Sequence, residues 1–390
     1  MIRAEKSRIQ PLPYPVYFFT VLALALCGLL NSIYLAVSHY RVYTDIGYRS
    51  FCAISQSINC DTVSQSPFSI FLNLPIPIWG ILGYLLFLLI LTLAWGPQAK
   101  KIRIWSLLFL VSLGFSLYSA LLAWISTFKI HSYCMMCILS YGISFMLLFF
   151  TGMIRRRFGK EGIIAGLRLD IRFLMHRKHQ VLGIFAPFFL AVFLIMIFFP
   201  TYWSFQPPTL AAYIPHGIDK DGHPWIGAEN PVVEIVEFTD YQCFQCNKMH
   251  YFLRQLMVSH PGKLRLIHRH FPMDDKVNPT VKQPLHVGSG KLALLALYAA
   301  TKNKFWQLSD LLFVIARTKN AINIEELAEA TGLDPKELSS ALSDPKIRNR
   351  LHTDIRDALS FGVSGTPSFV IDGKVYKGQI PAEIIKKIMD

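Results

Sequence analysis

Charge is scarce in this chain. Asp, Glu, Lys and Arg make up 16% of its 390 residues, where a soluble globular protein carries about 25%. Acidic side chains are scarcest in the first half, where residues 1–200 hold 5 of the 25. With 53% hydrophobic residues, that shortage excludes a disordered or ordinary soluble chain and points to a membrane protein. Also missing are any repeat of 20–50 residues, any low-complexity tract, H-E-x-x-H, and a C-x-x-C followed by paired histidines. Solenoids and the common zinc signatures are thereby set aside, and no metal is expected. No N-x-S/T acceptor is present, because Asn278-Pro279-Thr280 has proline at its centre, which weakly fits a bacterial source. The net charge of +14 is not laid out for nucleic acid. Residues 1–200 carry 17 basic and 5 acidic side chains and residues 201–390 carry 22 and 20, so the excess sits in the apolar half and no nucleic-acid partner is expected.

What fills that half is long apolar runs. Val16 to Val37 is uncharged and long enough to span a bilayer core of about 30 Å. Four more runs follow, near Ile76–Trp95, Ile104–Ile125, Tyr133–Met153 and Val181–Phe199. Cys27 lies inside the first and reads as a buried small hydrophobe. Fourteen basic residues fall on one side of these runs: Arg3, Lys6 and Arg8, the segment 97–103, and the connection 154–180. The opposite connections, 38–75 and 126–132, hold only Arg41, Arg49 and Lys129. Positive charge stays in the cytoplasm, so the N-terminus is expected inside and, after five spans, the C-terminus outside. Residues 162–175 fit either an interfacial amphipathic helix or a solvated linker. Pro67–Leu74, apolar for an outer loop, fits a lid over a pocket or an interfacial half-helix. Asp45 and Asp61, the carboxylates of the outer loops, are expected on solvated faces.

Past Pro200 the composition changes. Pro207-Pro208 and Pro215 mark a linker, and Gly217–Asn230 is rich in turn residues. Pro231–Asp240 alternates and is β-branched, so a strand is expected; Gln242–Ser259 reads as a helix and Lys263–Phe271 as a second strand. Helical spacing fills 288–360. Asp372-Gly373 between two short apolar runs signals a hairpin, and Ala382–Met389 a last helix. This is an α/β plan with a helical insertion.

Beside Cys27, six cysteines fall into three pairs: Cys52/Cys60, Cys134/Cys137 and Cys243/Cys246. On the expected topology all lie at or beyond the outer membrane face, where disulfides persist. A structural staple suits Cys52/Cys60 alone. It suits C-x-x-C badly, since so short a loop restrains the unfolded chain little. One zinc site shared by two C-x-x-C pairs with a whole span between them is improbable. Redox-active dithiols are the favoured reading. C-x-x-C at a helix start sets the first sulfur over unpaired N–H groups, which lower its pKa, and keeps the second as the resolving thiol.

The segment Phe238-Thr-Asp-Tyr-Gln-Cys243-Phe-Gln-Cys246-Asn-Lys-Met-His, with Phe271-Pro272 and Gly365-Thr366-Pro367-Ser-Phe-Val-Ile-Asp-Gly, resembles the DsbA-like disulfide oxidoreductases of the thioredoxin fold, over about 225–390. The resemblance implies Cys243 as nucleophile, Cys246 as resolving thiol, a cis Pro367, and Thr366-Pro367 as part of the substrate groove. Phe244-Gln245 departs from the Pro-His of the strongly oxidising prototype. Residues 15–150 resemble the vitamin K epoxide reductase family through Cys52-x7-Cys60, Asn59-Cys60-Asp61 with Ser66, the Pro-Ile-Pro-Ile-Trp-Gly helix start, and Cys134-x-x-Cys137 with Tyr141. This resemblance implies a quinone acceptor, ubiquinone or menaquinone, with Tyr141 donating to it and Ser66 positioning the loop. From the residues alone Tyr141 is a membrane-interface aromatic and Ser66 a loop-capping serine.

Together these imply a transmembrane helix bundle (a four-helix core plus a fifth span) followed by an α/β thioredoxin-like domain. The expected divisions are 1–153, a basic linker with the fifth helix and a further linker over 154–222, and 223–390. The expected protein is a thiol:quinone oxidoreductase of a bacterial inner membrane with its C-terminal domain in the periplasm. Its partners are the bilayer, a membrane quinone and reduced exported proteins as clients. Electrons enter at Cys243/Cys246, pass to Cys52/Cys60, then Cys134/Cys137, and reach the quinone. Alternatives are an epoxide reductase, a disulfide isomerase or reductase, or a non-enzymatic assembly factor with structural cysteines.

Overall fold

The computed structural model describes residues 12–54, 57–95, 104–159, 161–204, 214–282, 284–318 and 322–390. The basic residues Arg3, Lys6, Arg8, Lys100, Lys101, Arg103 and Lys160 and the Pro207-Pro208 linker lie outside them. The chain forms two compact units, Met1–Trp203 and Ser204–Asp390.

The first unit is helical. Helix α1 (Tyr14–Thr44) is followed by a short α2 (Cys60–Gln65), whose N-cap Asn59 accepts from the N–H groups of Asp61 and Thr62. Pro67–Ser69 makes a 3-10 turn, and the two-residue strands β1 (Ile70–Phe71) and β2 (Leu74–Pro75) form a tight hairpin leading into α3 (Ile76–Thr92). The apolar outer segment is thus a turn and hairpin rather than a half-helix. Pro75 and Pro77 stand at the start of α3, where a missing N–H costs least. Then come α4 (Trp105–Ile125, continued by a π-helical turn over Ser126–Ile130), α5 (Met135–Phe158), α6 (Ile163–His176) and α7 (Lys178–Phe198).

Among the described residues four helices, α1, α4 with its extension, α5 and α7, are long and apolar enough to cross a membrane. Helix α3 is apolar but has 17 residues, roughly 26 Å at about 1.5 Å each. Small residues let the helices approach, as bundles in lipid require. A Cβ on Gly28 would lie 2.3 Å from the Tyr84 ring, and one on Gly80 would lie 2.7 Å from Ser32 Oγ. Cys27 faces outward from the bundle, against the expectation that it is buried. A helix apolar all round carries no pattern separating its lipid face from its protein face.

Residues 163–176 form an amphipathic helix, and its anchoring excludes the solvated linker. Asp170 is buried and accepts from the backbone N–H groups of Ile104 (2.7 Å), Ser106 (2.9 Å) and Leu107 (3.1 Å). Those are the orphan donors at the start of α4, where a negative charge is most stabilising. Asp61 is also buried and accepts from Ser50 N–H, so it is not on a solvated face. Asp45 is exposed and pairs with Arg41.

The second unit has a six-stranded sheet in the order β3-β4-β6-β5-β7-β8. Strands β3 (His216–Ile218) and β4 (Pro224–Gly227) make a hairpin inside the segment read as turns. Strand β5 (Val233–Thr239), α8 (Phe244–Ser259) and β6 (Leu264–His270) form a parallel βαβ unit. Helices α9 (Ser289–Thr301), α10 (Phe305–Thr318), α11 (Ile324–Thr331), α12 (Pro335–Ser340) and α13 (Pro345–Ser360) are the insertion. Strands β7 (Ser368–Ile371) and β8 (Lys374–Lys377) turn at Asp372-Gly373, both at positive φ, and α14 (Ala382–Met389) ends the chain. A βαβ unit and a ββα unit on one sheet with helices inserted between them is the thioredoxin plan.

Candidate functional site

In the helical unit the backbone brings three sulfurs together. Tyr133 N–H donates to Ser57 O (2.8 Å) and Asn59 N–H to Tyr133 O (2.9 Å), a parallel bridge that sets the start of α2 against the start of α5. Cys60 opens α2 and Cys134 is the N-cap of α5. Cys52 and Cys60 are joined in a disulfide. With Cys134 they form one buried cluster, 0%, 2% and 3% exposed, against which Leu35, Val63, Met136 and Cys137 pack. Cys137 N–H donates to Cys134 Sγ at 3.3 Å, so the helix start holds the first sulfur as the sequence pattern requires. Asn31 on α1 fixes the first turn of α5, donating to Met136 O (2.9 Å) and Ser140 Oγ (2.6 Å).

Cys137 opens the other way, into a cavity of about 280 Å³. Tyr141, one turn on, lines the same cavity with Ser66, Trp79, Tyr118 and His39. Ser66 caps the end of α2, its hydroxyl donating to Val63 O at 2.8 Å, while facing that space. Phe68 and Ser69 of the outer segment also form part of its wall. His39, which the sequence reading missed, is buried with Nδ1 2.8 Å from the Tyr202 hydroxyl and Nε2 3.3 Å from Ser69 Oγ. It ties the chain beyond α7 to the cavity rim. A lone histidine near the end of an apolar run gives no signal of this.

In the second unit Cys243 is the N-cap of α8 and is half-buried, whereas Cys246 is buried. The Cys243 thiol donates to Thr366 O at 3.5 Å, and the Thr366–Pro367 peptide bond is cis. The Cys243 thiol is drawn down to about 7 by the Cys246 thiol, then by the charge of His286 and the Cys246 N–H, against burial and the charge of Asp240. Burial pushes Cys246 well up. At neutral pH the first thiol is therefore the more readily ionised of the two.

Behind the motif lies a buried polar cluster the sequence reading did not single out. Glu237 Oε1 is 2.8 Å from His268 Nδ1, and His268 Nε2 is 3.3 Å from His270 Nδ1. Burial raises Glu237 to about 7 and lowers both histidines to about 3. Both rings are then neutral, and the Glu237–His268 contact is a hydrogen bond rather than an ion pair. His250 Nε2 and Arg254 Nη2 meet Asp310 Oδ1 at 2.6 and 3.0 Å. The alternation of His268 and His270 about Arg269 was a usable signal for inward-facing polar groups.

Two thiol pairs at helix starts, one in an apolar helical bundle and one on a thioredoxin-type sheet, define a membrane protein built for thiol–disulfide exchange. Residues 19–152 match the vitamin K epoxide reductase family and residues 219–390 match thioredoxin; the chain joins a domain of each, and both are families of thiol–disulfide oxidoreductases. Curated relatives include a Na(+)/H(+) antiporter NhaA 3 from Salinispora tropica, 27% identical over 168 residues, 43% of this chain and 24% of the relative. Another is a Na(+)/H(+) antiporter NhaA from Herminiimonas arsenicoxydans, 22% identical over 48% of this chain and 28% of the relative. The chain thus spans about a quarter of the length of the curated relatives it matches. Similar solved structures include a thioredoxin-like oxidoreductase from Silicibacter pomeroyi (24% identity, TM-score 0.35, 44% of this chain and 92% of that one) and alpha-DsbA1 from Wolbachia pipientis (19%, 0.35, 44% and 92%).

Proposed function

We propose that this chain is a membrane thiol:quinone oxidoreductase that drives disulfide formation in exported proteins. The observation that carries the reading is the buried cluster of Cys52, Cys60 and Cys134, with Cys137 between it and an apolar cavity. Two electrons leave a client dithiol at Cys243/Cys246, pass to Cys52/Cys60 and then to Cys134/Cys137. Each transfer runs through a mixed disulfide, with one S–S bond formed as another breaks. Cys60 packs with Cys134 and is assigned that exchange; Cys52 is assigned the exchange with Cys243. Cys52 is fully buried, so its loop opens for that step.

The cavity fits a quinone ring: its surface is mostly apolar, with aromatic walls and the hydroxyls of several serines and tyrosines. The quinone, ubiquinone or menaquinone, supplies the final two-electron acceptor. Cys137 presents its sulfur to the cavity, Tyr141 donates a hydrogen bond, Ser66 positions the loop, and Thr366-Pro367 forms part of the client groove. The reading places the N-terminus in the cytoplasm, counts α3 as a fifth span, and sets the thioredoxin-like domain in the periplasm of a bacterial inner membrane. It divides the chain functionally into 1–153, 154–222 and 223–390. The test is quinone reduction by the dithiol-reduced chain in detergent. Wild type turns over, and Cys137→Ala does not while its Cys243/Cys246 pair still exchanges with added dithiol. Normal quinone turnover by Cys137→Ala sinks the assignment.

A further inference from the structure

Neither residue between Cys243 and Cys246 is charged; they are Phe244 and Gln245. A cation beside the attacking sulfur has to come from outside the motif, and the segment entering α9 brings a histidine, His286, to the turn that carries it. Three bonds fasten that segment to the surroundings of the motif. Gln242 Nε2 donates to Val287 O (2.9 Å), Ser289 Oγ donates to Asp240 Oδ2 (2.9 Å), and His286 N–H donates to Met273 O (3.1 Å). The His286 ring then stands with Nδ1 3.0 Å from Asp240 Oδ2.

Asp240 is buried, and it also accepts from Gln242 N–H (2.7 Å) and Met273 N–H (2.6 Å). When protonated, His286 supplies the counter-charge to that buried carboxylate. The Asp240 carbonyl accepts the N–H of Cys243 (3.1 Å), so the charged pair sits on the turn that carries the nucleophile. Of the two neighbouring carboxylates, Asp274 is engaged by the N–H groups of Gly288 and Gly290, and Asp275 is exposed.

We propose that His286, held by Asp240, is a positioning residue that places a positive charge beside Cys243 and stabilises its thiolate. The inference rests on Cys243 being the attacking thiol. In the oxidising direction a client thiolate attacks Cys243 Sγ, the Cys243–Cys246 bond breaks, and Cys246 leaves as a thiolate that takes up a proton. A second client thiolate then attacks the client sulfur of the mixed disulfide. Cys243 leaves as a thiolate, and the client leaves with a disulfide, having given up two electrons. His286 acts on this second departure, because a stabilised leaving thiolate leaves faster. The lowered pKa of Cys243, in which the charge of His286 outweighs the opposing charge of Asp240, agrees.

The experiment pulses the reduced full chain with iodoacetamide from pH 4.5 to 9 and quantifies the Cys243 peptide by mass spectrometry. In His286→Gln, alkylation at pH 6 slows about three- to tenfold and the profile shifts to higher pH, whereas His286→Lys keeps the wild-type rate. An unchanged profile in His286→Gln overturns the proposal, and so does equal slowing in both variants, which marks a structural role. If Cys246 rather than Cys243 is labelled first in the wild type, the nucleophile assignment fails and the proposal with it.

Discussion

The two C-x-x-C helices start alike and end up opposite. Cys134 and Cys243 are both N-cap residues. In the membrane unit the first cysteine is buried among sulfurs and the second opens to a cavity; in the thioredoxin-like unit the first is half-open and the second is buried. The motif fixes where the sulfurs sit on a helix. What packs around the helix decides which sulfur meets which partner. For α5 those surroundings are the Cys52/Cys60 loop on one side and Trp79 and Tyr118 on the other. For α8 they are Thr366, Asp240 and His286.

The contrast breaks most readily at the sulfurs themselves. Cys52→Ser/Cys60→Ser is expected to disconnect the two sites, so that quinone no longer oxidises Cys243/Cys246 while each pair keeps its own dithiol exchange. Thiol trapping after a quinone pulse measures this, and full-speed oxidation of Cys243/Cys246 in that variant would make the loop disulfide structural. Removing one resolving thiol at a time sharpens the order. Cys137→Ser is expected to accumulate a Cys60–Cys134 link and Cys246→Ser a Cys243–Cys52 link, mapped by non-reducing proteolysis and mass spectrometry. A smaller effect is expected at Tyr141→Phe. Losing one hydrogen bond of about 1–1.5 kcal/mol raises the quinone concentration for half-maximal rate about tenfold; an unchanged concentration dependence would return Tyr141 to an interface role.

The mildest difference lies in pH. His268 and His270 titrate near 3 in the fold against 6.5 when free. Below pH 6.5 the unfolded chain takes up two protons that the folded one refuses. Glu237 titrates near 7 in the fold against 4.5 when free, so over the same window the folded state holds one proton the unfolded state lacks. The net difference is one proton in favour of unfolding. The opening free energy of β5–β6 therefore falls by about 1 kcal/mol per pH unit from 6.5 to 4.5. Hydrogen exchange of those amides in the full chain reads it, and a flat profile would show that the cluster stays hydrated.

Much of this was legible in the sequence, for stated reasons. Strands β5 and β6 and the β7–β8 hairpin carry their own β-branched runs and turn residues. The β3–β4 hairpin does not. His-Gly-Ile and Pro-Trp-Ile-Gly are poor strands alone and are held because β4 pairs with β6, from Trp225 opposite Ile267 to Gly227 opposite Arg265. Buried acids were misread for the same kind of reason. Asp61 finds its donor 11 residues upstream at Ser50, a distance no local pattern shows. The cysteine pairs were visible because spacing is a local property; His39 and His286 were not, because their partners Tyr202 and Asp240 are remote.

Asp170 sets a clock for biogenesis. The N–H groups it accepts, at Ile104, Ser106 and Leu107, leave the ribosome 63 to 66 residues before it does. At about 5–20 residues per second, that is roughly 3–13 s during which α4 has a bare start. A chain stalled anywhere in that interval holds an apolar helix whose first turn no carboxylate yet closes.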